Sequence, residues 1–292
     1  MKVTIGTRGS DLALWQANHV SALLTQLGLE PKIHIISTKG DQIQHLGFDK
    51  MEGKGFFTKE IEEALLNKTI DLAVHSHKDL ETTQPEGLTI AAVPERSFVE
   101  DTLLIRKECV NPSGKFLLHA NANVGTSSVR RKAQLTHYLP QLNIIDLRGN
   151  VPTRIQKLRN EQYDAIVLAK AGMMRLQLDL SEFHIIDLTP SEFVPAPAQG
   201  ALALQTRVND PLVDLLNPLN HTDNICIEIE RNVLRSLGGG CQVPFGAYCE
   251  HKDGVFILHT MYKSSKSPSA QYHLLRSENA EEVTEMAISK LK

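Results

Sequence analysis

The stretch Lys2-Val-Thr-Ile-Gly-Thr-Arg-Gly-Ser10, with the amphipathic run Asp11–Leu27, Gly28 and the apolar run Lys32–Thr38 behind it, decides the fold. Lys2–Gly6 is rich in β-branched residues and reads as a strand. Ser10 can cap a helix that starts at Asp11, and Gly28 can end it. Lys32–Thr38 is the next strand. Strand, capped helix and strand in immediate succession form one unit of an α/β layer. The pattern then repeats. Thr58 can cap a helix to Asn67, and strands follow at Ile70–His75 and Leu88–Val93. A second α/β unit begins near Asp101, with strands at Thr102–Ile105, Asn143–Leu147 and Ala165–Leu168 and helices from Ser128 and Pro152. The proline-rich Val194-Pro-Ala-Pro-Ala198 breaks the alternation as a crossover or hinge, and Gly200–Thr206 is a strand able to return to the first sheet. A third region carries a long helix from His221 to Leu237, strands near Gly246–Glu250, Val255–Tyr262 and Gln271–Arg276, and a last helix from Asn279. The expected architecture is α/β, with largely parallel sheets in two lobes and a smaller α+β C-terminal domain. The expected domains are 1–98 with 199–217, 99–198, and 218–292.

At 292 residues the chain is long enough for several cores. A composition of 41% hydrophobic and 22% charged residues is that of an ordinary globular protein. The net charge of −3 gives no overall reason to expect nucleic acid or membrane binding. The N-terminus enters a strand rather than the apolar core of an export signal, and no apolar run is long enough to span a bilayer. Cys109, Cys226, Cys241 and Cys249 are scattered without a CxxC pair, which suits a reducing cytoplasm.

Three features carry chemistry. Leu237-Gly-Gly-Gly-Cys-Gln-Val-Pro-Phe-Gly246 presents the Cys241 thiol on a glycine-rich bend, where it can hold a covalent group, attack an electrophile or bind a metal. Arg8, Arg130, Arg131, Arg148, Arg154 and Arg175 recur at the ends of expected elements. Arg130 and Arg131 follow Gly125-Thr-Ser-Ser128, a helix start that favours an anion. Guanidinium forks match carboxylates and phosphates, and ligands of open α/β sheets bind beyond the carboxyl ends of strands. The set is therefore read as an anion-binding cleft. The third feature is Asp71-Leu-Ala-Val-His-Ser-His-Lys-Asp-Leu80. Fully extended, it puts His75, His77 and Asp79 on one face, a metal-like array that lacks further ligands. If the strand instead ends near His75, Lys78 and Asp79 are charge carriers on the following loop. Gly53-Lys-Gly-Phe-Phe57 with Lys59, at the end of the polar stretch 39–55, adds a weaker anion or lid signal.

In order along the chain, these segments resemble the porphobilinogen deaminase (hydroxymethylbilane synthase) family. The resemblance rests on Thr7-Arg-Gly-Ser10, Ala13-Leu-Trp-Gln-Ala17, Gly53-Lys-Gly-Phe-Phe57 and Ala73-Val-His-Ser-His-Lys-Asp79. It continues through Gly125-Thr-Ser-Ser-Val-Arg-Arg131, Leu147-Arg-Gly-Asn-Val-Pro-Thr-Arg154, Tyr163-Asp-Ala-Ile-Val-Leu-Ala169, Pro197-Ala-Gln-Gly200 and Gly239-Gly-Cys-Gln-Val-Pro244. It implies two lobes like those of periplasmic binding proteins and a third domain bearing the cysteine. It also implies a dipyrromethane cofactor on Cys241 through a thioether, and the joining of four porphobilinogen molecules into hydroxymethylbilane with release of ammonia. Asp79 matches the catalytic carboxylate. Lys78, Asp79, Ser128, Arg130, Arg131, Arg148 and Arg154 match cofactor-binding positions. Arg8, Ser10, Arg148, Arg154, Arg175 and Gln199 match substrate-binding positions. A cytoplasmic monomer without metal, nucleic acid or membrane partner is implied. The alternative is a non-catalytic two-lobed anion-binding protein, which leaves Cys241 without a role. Three departures from the family pattern stand out: His77 and Lys170 replace apolar or small residues, and the last helix ends soon after Ala287.

Overall fold

The computed structural model describes residues 1–38, 58–240 and 242–291. The motif Gly53–Phe57, the whole stretch 39–55 and Cys241 therefore lie outside the described residues. Two compact units emerge, Met1–Ser97 with Gly200–Asn224, and Phe98–Gln199 with Ile225–Lys292.

In the first unit, β1 (Lys2–Thr7), α1 (Asp11–Gln26) and β2 (Glu30–Ile35) form the expected βαβ start. The Ser10 hydroxyl accepts from Ala13 N, one of the orphan amides of the first turn, and Gly28 supplies the positive φ that turns the chain. Helix α1 buries Ala17, Val20 and Leu24 at spacings of three and four, which lays one apolar stripe on the sheet. Helix α2 (Lys59–Leu66) covers the other face through Ile61 and Leu65, against Ile70, Ala73 and Leu88. Thr58 precedes it without a side-chain cap bond. With β3 (Leu72–Ser76), β4 (Leu88–Ala92) and β10 (Leu202–Arg207) the sheet runs β2-β1-β3-β10-β4. The sequence from Gly200 does return to this sheet. It runs antiparallel to both neighbours, because Leu202 enters beside Ser76 at the carboxyl end of β3.

The second unit repeats the plan. Strands β5 (Asp101–Arg106), β6 (Asn123–Gly125), β7 (Asn143–Ile145), β8 (Ala165–Ala169) and β9 (Phe183–Leu188) assemble as β7-β6-β8-β5-β9. Here β5 is the reversed strand, with Asp101 paired to Ala169 at the carboxyl end of β8. Edge strand β9 was not expected from sequence, since its Phe183-His-Ile-Ile-Asp-Leu188 is short and only half-buried. Helices α3 (Val129–Tyr138), α4 (Val151–Arg159) and α5 (Lys170–Leu176) follow β6, β7 and β8. The first two are capped by Ser128 and Asn150, which accept from Arg131 N and Thr153 N. Both faces of this sheet carry apolar cores. The meander β11 (Phe245–Lys252), β12 (Val255–Tyr262) and β13 (Gln271–Ser277) packs with α7 (Asn224–Ser236) and α8 (Ala280–Leu291) around Val233, Leu258 and Val283. The short α6 (Leu212–Leu216) belongs to the first unit.

The crossover at Val194–Ala198 is fastened along its length inside the second unit. Val194 O accepts from Arg130 Nη1 and Gln134 Nε2, and Val194 N donates to Gln134 Oε1. Ala247 N of β11 donates to Pro195 O, and Ala198 N donates to Glu230 Oε2 of α7. Of the two readings of this segment, the bonds favour a crossover.

Candidate active site

In the first unit, β1 and β3 run parallel, so the turns that leave them emerge at the same edge of the sheet. Arg8 and Ser10 lie in the first turn. Strand β3 stops at Ser76, and His77–Asp79 form a single 3₁₀ turn. The fully extended His75/His77/Asp79 face therefore does not form. His77 is buried, and its N–H donates to Ala201 O. Asp79 stands exposed at the turn, with Lys78 half-buried before it. Gln16 Nε2 of α1 donates to Ser76 Oγ (2.8 Å), which ties the helix to the strand end beneath that turn. His75 is buried beside Gln205, 3.1 Å from its Oε1. Gln205 Nε2 donates on to Gln84 Oε1 (2.8 Å) and Glu62 Oε1 (3.3 Å). Burial pushes the His75 imidazole down to about 4, against the Gln205 bond and with help from the Arg8 charge. Burial raises the Glu62 carboxyl above its usual range. Among the described residues, no group of three or more His, Cys, Asp or Glu could hold a metal ion.

In the second unit, Ser128, Arg130, Arg131, Arg148, Arg154 and Arg175 all follow the carboxyl ends of β6, β7 and β8, where the parallel strands deliver them to one edge. Arg130 and Arg131 are buried, at 4% and 6% exposure, although they open a helix. What permits this is Asp101, fully buried at the start of reversed strand β5. Arg131 donates to Asp101 Oδ1 through Nε (3.2 Å) and Nη2 (2.7 Å), and through Nη1 to Val167 O (2.9 Å). Arg130 Nη1 lies 2.7 Å from Asp101 Oδ2. Burial alone would raise the Asp101 pKa, but the two guanidiniums outweigh it and hold the carboxyl well below its usual range. Burial lowers the Arg130 pKa against the pull of Asp101, and brings Arg175 down to about 10. Two guanidiniums against one carboxylate leave this cluster one positive charge in excess. An uncompensated buried charge is expensive, so such a pocket is complete only with a further anion.

The remaining residues are partly committed to the protein. Arg154 Nε donates to Gly149 O (2.7 Å), and Arg148 Nη2 lies 3.9 Å from Asp146. Gln199 Nε2 donates to Val99 O (2.8 Å) and Asp101 Oδ1 (3.0 Å). Ser10 and Ser128 accept from their helix amides, and a hydroxyl so engaged can still donate its proton to a further acceptor. Lys170 pairs with Asp187 (2.6 Å) and lies 3.8 Å from Glu100, so the charge that departs from the family pattern is locally balanced. Asp101 is the residue that sequence reasoning missed. Its only signal was an acidic pair, Glu100-Asp101, at the head of an apolar strand.

The model of the "Porphobilinogen deaminase, dipyromethane cofactor binding domain" matches residues 3–214, and that of the "Porphobilinogen deaminase, C-terminal domain" matches residues 224–284. Porphobilinogen deaminase of Syntrophobacter fumaroxidans is 42% identical over 268 residues, covering 90% of this chain and 84% of its own. That of Clostridium novyi is 42% identical over 273 residues, covering 91% and 90%. Among solved structures, the probable amino-acid ABC transporter extracellular-binding protein ytmK of Bacillus subtilis aligns over 82% of this chain and 98% of that one, with a TM-score of 0.47 at 11% identity. Two family models in succession, and relatives above 40% identity over most of both chains, carry the assignment: this chain belongs to the porphobilinogen deaminase family.

Proposed function

We propose that this chain is a porphobilinogen deaminase, a transferase that joins four porphobilinogen molecules head to tail with release of four ammonia molecules and frees hydroxymethylbilane by hydrolysis, one water supplying the terminal hydroxyl. The observation that carries the reading, beside the family match, is the buried Arg130–Asp101–Arg131 cluster with its excess positive charge. Porphobilinogen and dipyrromethane are rich in carboxylates, so the cluster fits them in charge. Dipyrromethane, when bound through a thioether to Cys241, supplies the covalent primer on which the product is built. Lys78, Asp79, Ser128, Arg130, Arg131, Arg148 and Arg154 would hold it, the cationic side chains and Ser128 through its acidic groups and Asp79 as acceptor for pyrrole N–H. Arg8, Ser10, Arg148, Arg154 and Arg175 receive those of the substrate. Gln199, matched to a substrate position, contributes through its bond to Asp101.

In each cycle the substrate's aminomethyl C–N bond breaks and its nitrogen leaves as ammonia. The C–C bond that replaces it would form at a free pyrrole carbon, whose proton is lost. Asp79 is exposed on a turn anchored from below by Gln16 and Ser76, so its carboxylate is accessible to a ligand. It accepts from the pyrrole N–H and stabilises the positive charge that develops as ammonia departs. The arginines bind by charge-assisted, two-pronged hydrogen bonds. The second unit is read as two domains, 99–198 and 218–292, with 1–98 and 199–217 forming the first. The protein is read as a cytoplasmic monomer; among the described residues no helix is long and apolar enough to cross a membrane.

Intact mass measured on the native chain and on Cys241→Ser tests the assignment. The native chain should carry the mass of a dipyrromethane, and Cys241→Ser should carry none and be inactive. An unmodified native chain supports the anion-binding alternative instead.

A further inference from the structure

Asp101 is placed by topology rather than by local sequence. The antiparallel register of β5 sets it beside Ala169, at the edge where the second-unit arginines collect. It is fully buried and meets three side chains: both guanidiniums and the amide of Gln199. Each arginine is also fastened to a backbone carbonyl, Arg130 to Val194 O and Arg131 to Val167 O. Two long side chains that sample many rotamers in water are thus held in one arrangement before any ligand arrives. Arg130 Nε is buried without a hydrogen-bond partner among the described residues. The cluster has therefore not used all its donors, and it retains its surplus charge.

Resting on the porphobilinogen deaminase reading, we infer that Asp101 is a positioning residue that holds Arg130 and Arg131 as a ready-made receiver for one carboxylate of the dipyrromethane. Its charge neutralises one guanidinium, so the pocket calls for a single further anion. Its two oxygens orient both forks, so the ligand does not bear the entropy of ordering them. Asp101 touches no reacting atom; it acts through the arginines.

The experiment uses full-length chain from cells that make no porphobilinogen, as wild type, Asp101→Asn and Asp101→Glu. Two quantities are read: the thermal midpoint of the unloaded chain, and the rate at which folded chain gains covalent mass on incubation with porphobilinogen. Asp101→Asn keeps the shape and removes the charge, so folded chain should load at least tenfold more slowly than wild type. Asp101→Glu keeps the charge and moves it by a methylene, so loading should fall between the two. A residue with a merely structural role lowers the midpoint and leaves the folded chain loading at the wild-type rate; that result overturns the inference. If Asp101→Asn does not fold, Asp101→Glu decides: slowed loading of its folded fraction supports the inference, and loading at the wild-type rate overturns it. Failure of the underlying reading looks different, because the wild-type chain itself then gains no mass.

Discussion

Asp79 and His75 lie four positions apart, and their surroundings assign them opposite work. Asp79 is exposed on its turn and free to meet a cationic centre. Removing a well-placed electrostatic group costs about 10²–10³ in rate. Asp79→Asn should therefore fold and bind porphobilinogen with turnover down by about that factor, and Asp79→Glu should keep part of the activity. A smaller loss in Asp79→Asn than in Asp79→Glu, in steady-state assays, removes Asp79 from the mechanism. His75 is buried and neutral, with its pKa at about 4 against an ordinary 6.5. The unfolded chain takes up this proton first on acidification. The neutral site therefore costs nothing above about pH 6.5, and stability drains away as pH falls from there toward 4, by about 3 kcal/mol in all. Glu62, with its raised pKa, acts in the opposite sense. His75→Gln should flatten the acid limb of a plot of urea midpoint against pH; an unchanged limb refutes the assignment.

At the scale of elements, caps and close approaches set the arrangement. Asn150 closes the first turn of α4 by accepting from Thr153 N (2.9 Å), so Asn150→Ala should cost about 1 kcal/mol in chemical denaturation. Gly246 of β11 is a harder constraint. A Cβ there would stand 2.7 Å from Val194 O and 3.0 Å from Pro195 O, both backbone atoms of the crossover. Ala247 N must also reach Pro195 O from the next position. Gly246→Ala should therefore lower the thermal midpoint by several degrees, where a glycine-to-alanine change in an open strand should stabilise. A neutral or stabilising result means the crossover is not packed on β11.

On the scale of the molecule, a few buried charges fasten elements that are distant in sequence. Glu230 of α7 is fully buried and accepts from Ala198 N (2.7 Å) and Cys249 N (2.8 Å), joining helix, crossover and meander in the second unit. Hydrogen bonds to a charged group contribute about 1.5–3 kcal/mol each, and a buried amide left without an acceptor adds a desolvation penalty. Glu230→Leu should therefore destabilise the second unit by several kcal/mol, read by calorimetry. An unshifted transition means the two amides find other acceptors.

What the sequence determined by itself is whatever depends on neighbours within a few residues. The βαβ alternation, the Ser10 cap and the ordered motifs that mark the family were all legible, because periodicity, capping and turns are local chemistry, whereas the Thr58 cap was expected and does not form. The end of β3 at Ser76 was open in the sequence, since a strand and a turn both accommodate His75-Ser-His-Lys-Asp79. It was decided by tertiary contacts: Leu202 pairs with Ser76 as the last rung, and Ala201 O takes the His77 amide. The reversed strands β5 and β10 depended on where the chain enters each unit, which no local pattern encodes. The same holds for the binding cluster. That arginines gather at strand ends could be read; that two of them are buried could not. Asp101 is 30 residues from Arg131 and 98 from Gln199, and only the register of β5 on β8 brings its carboxylate to them. Burial of a charge is favourable only with its partner in place, and the partner is supplied by the fold.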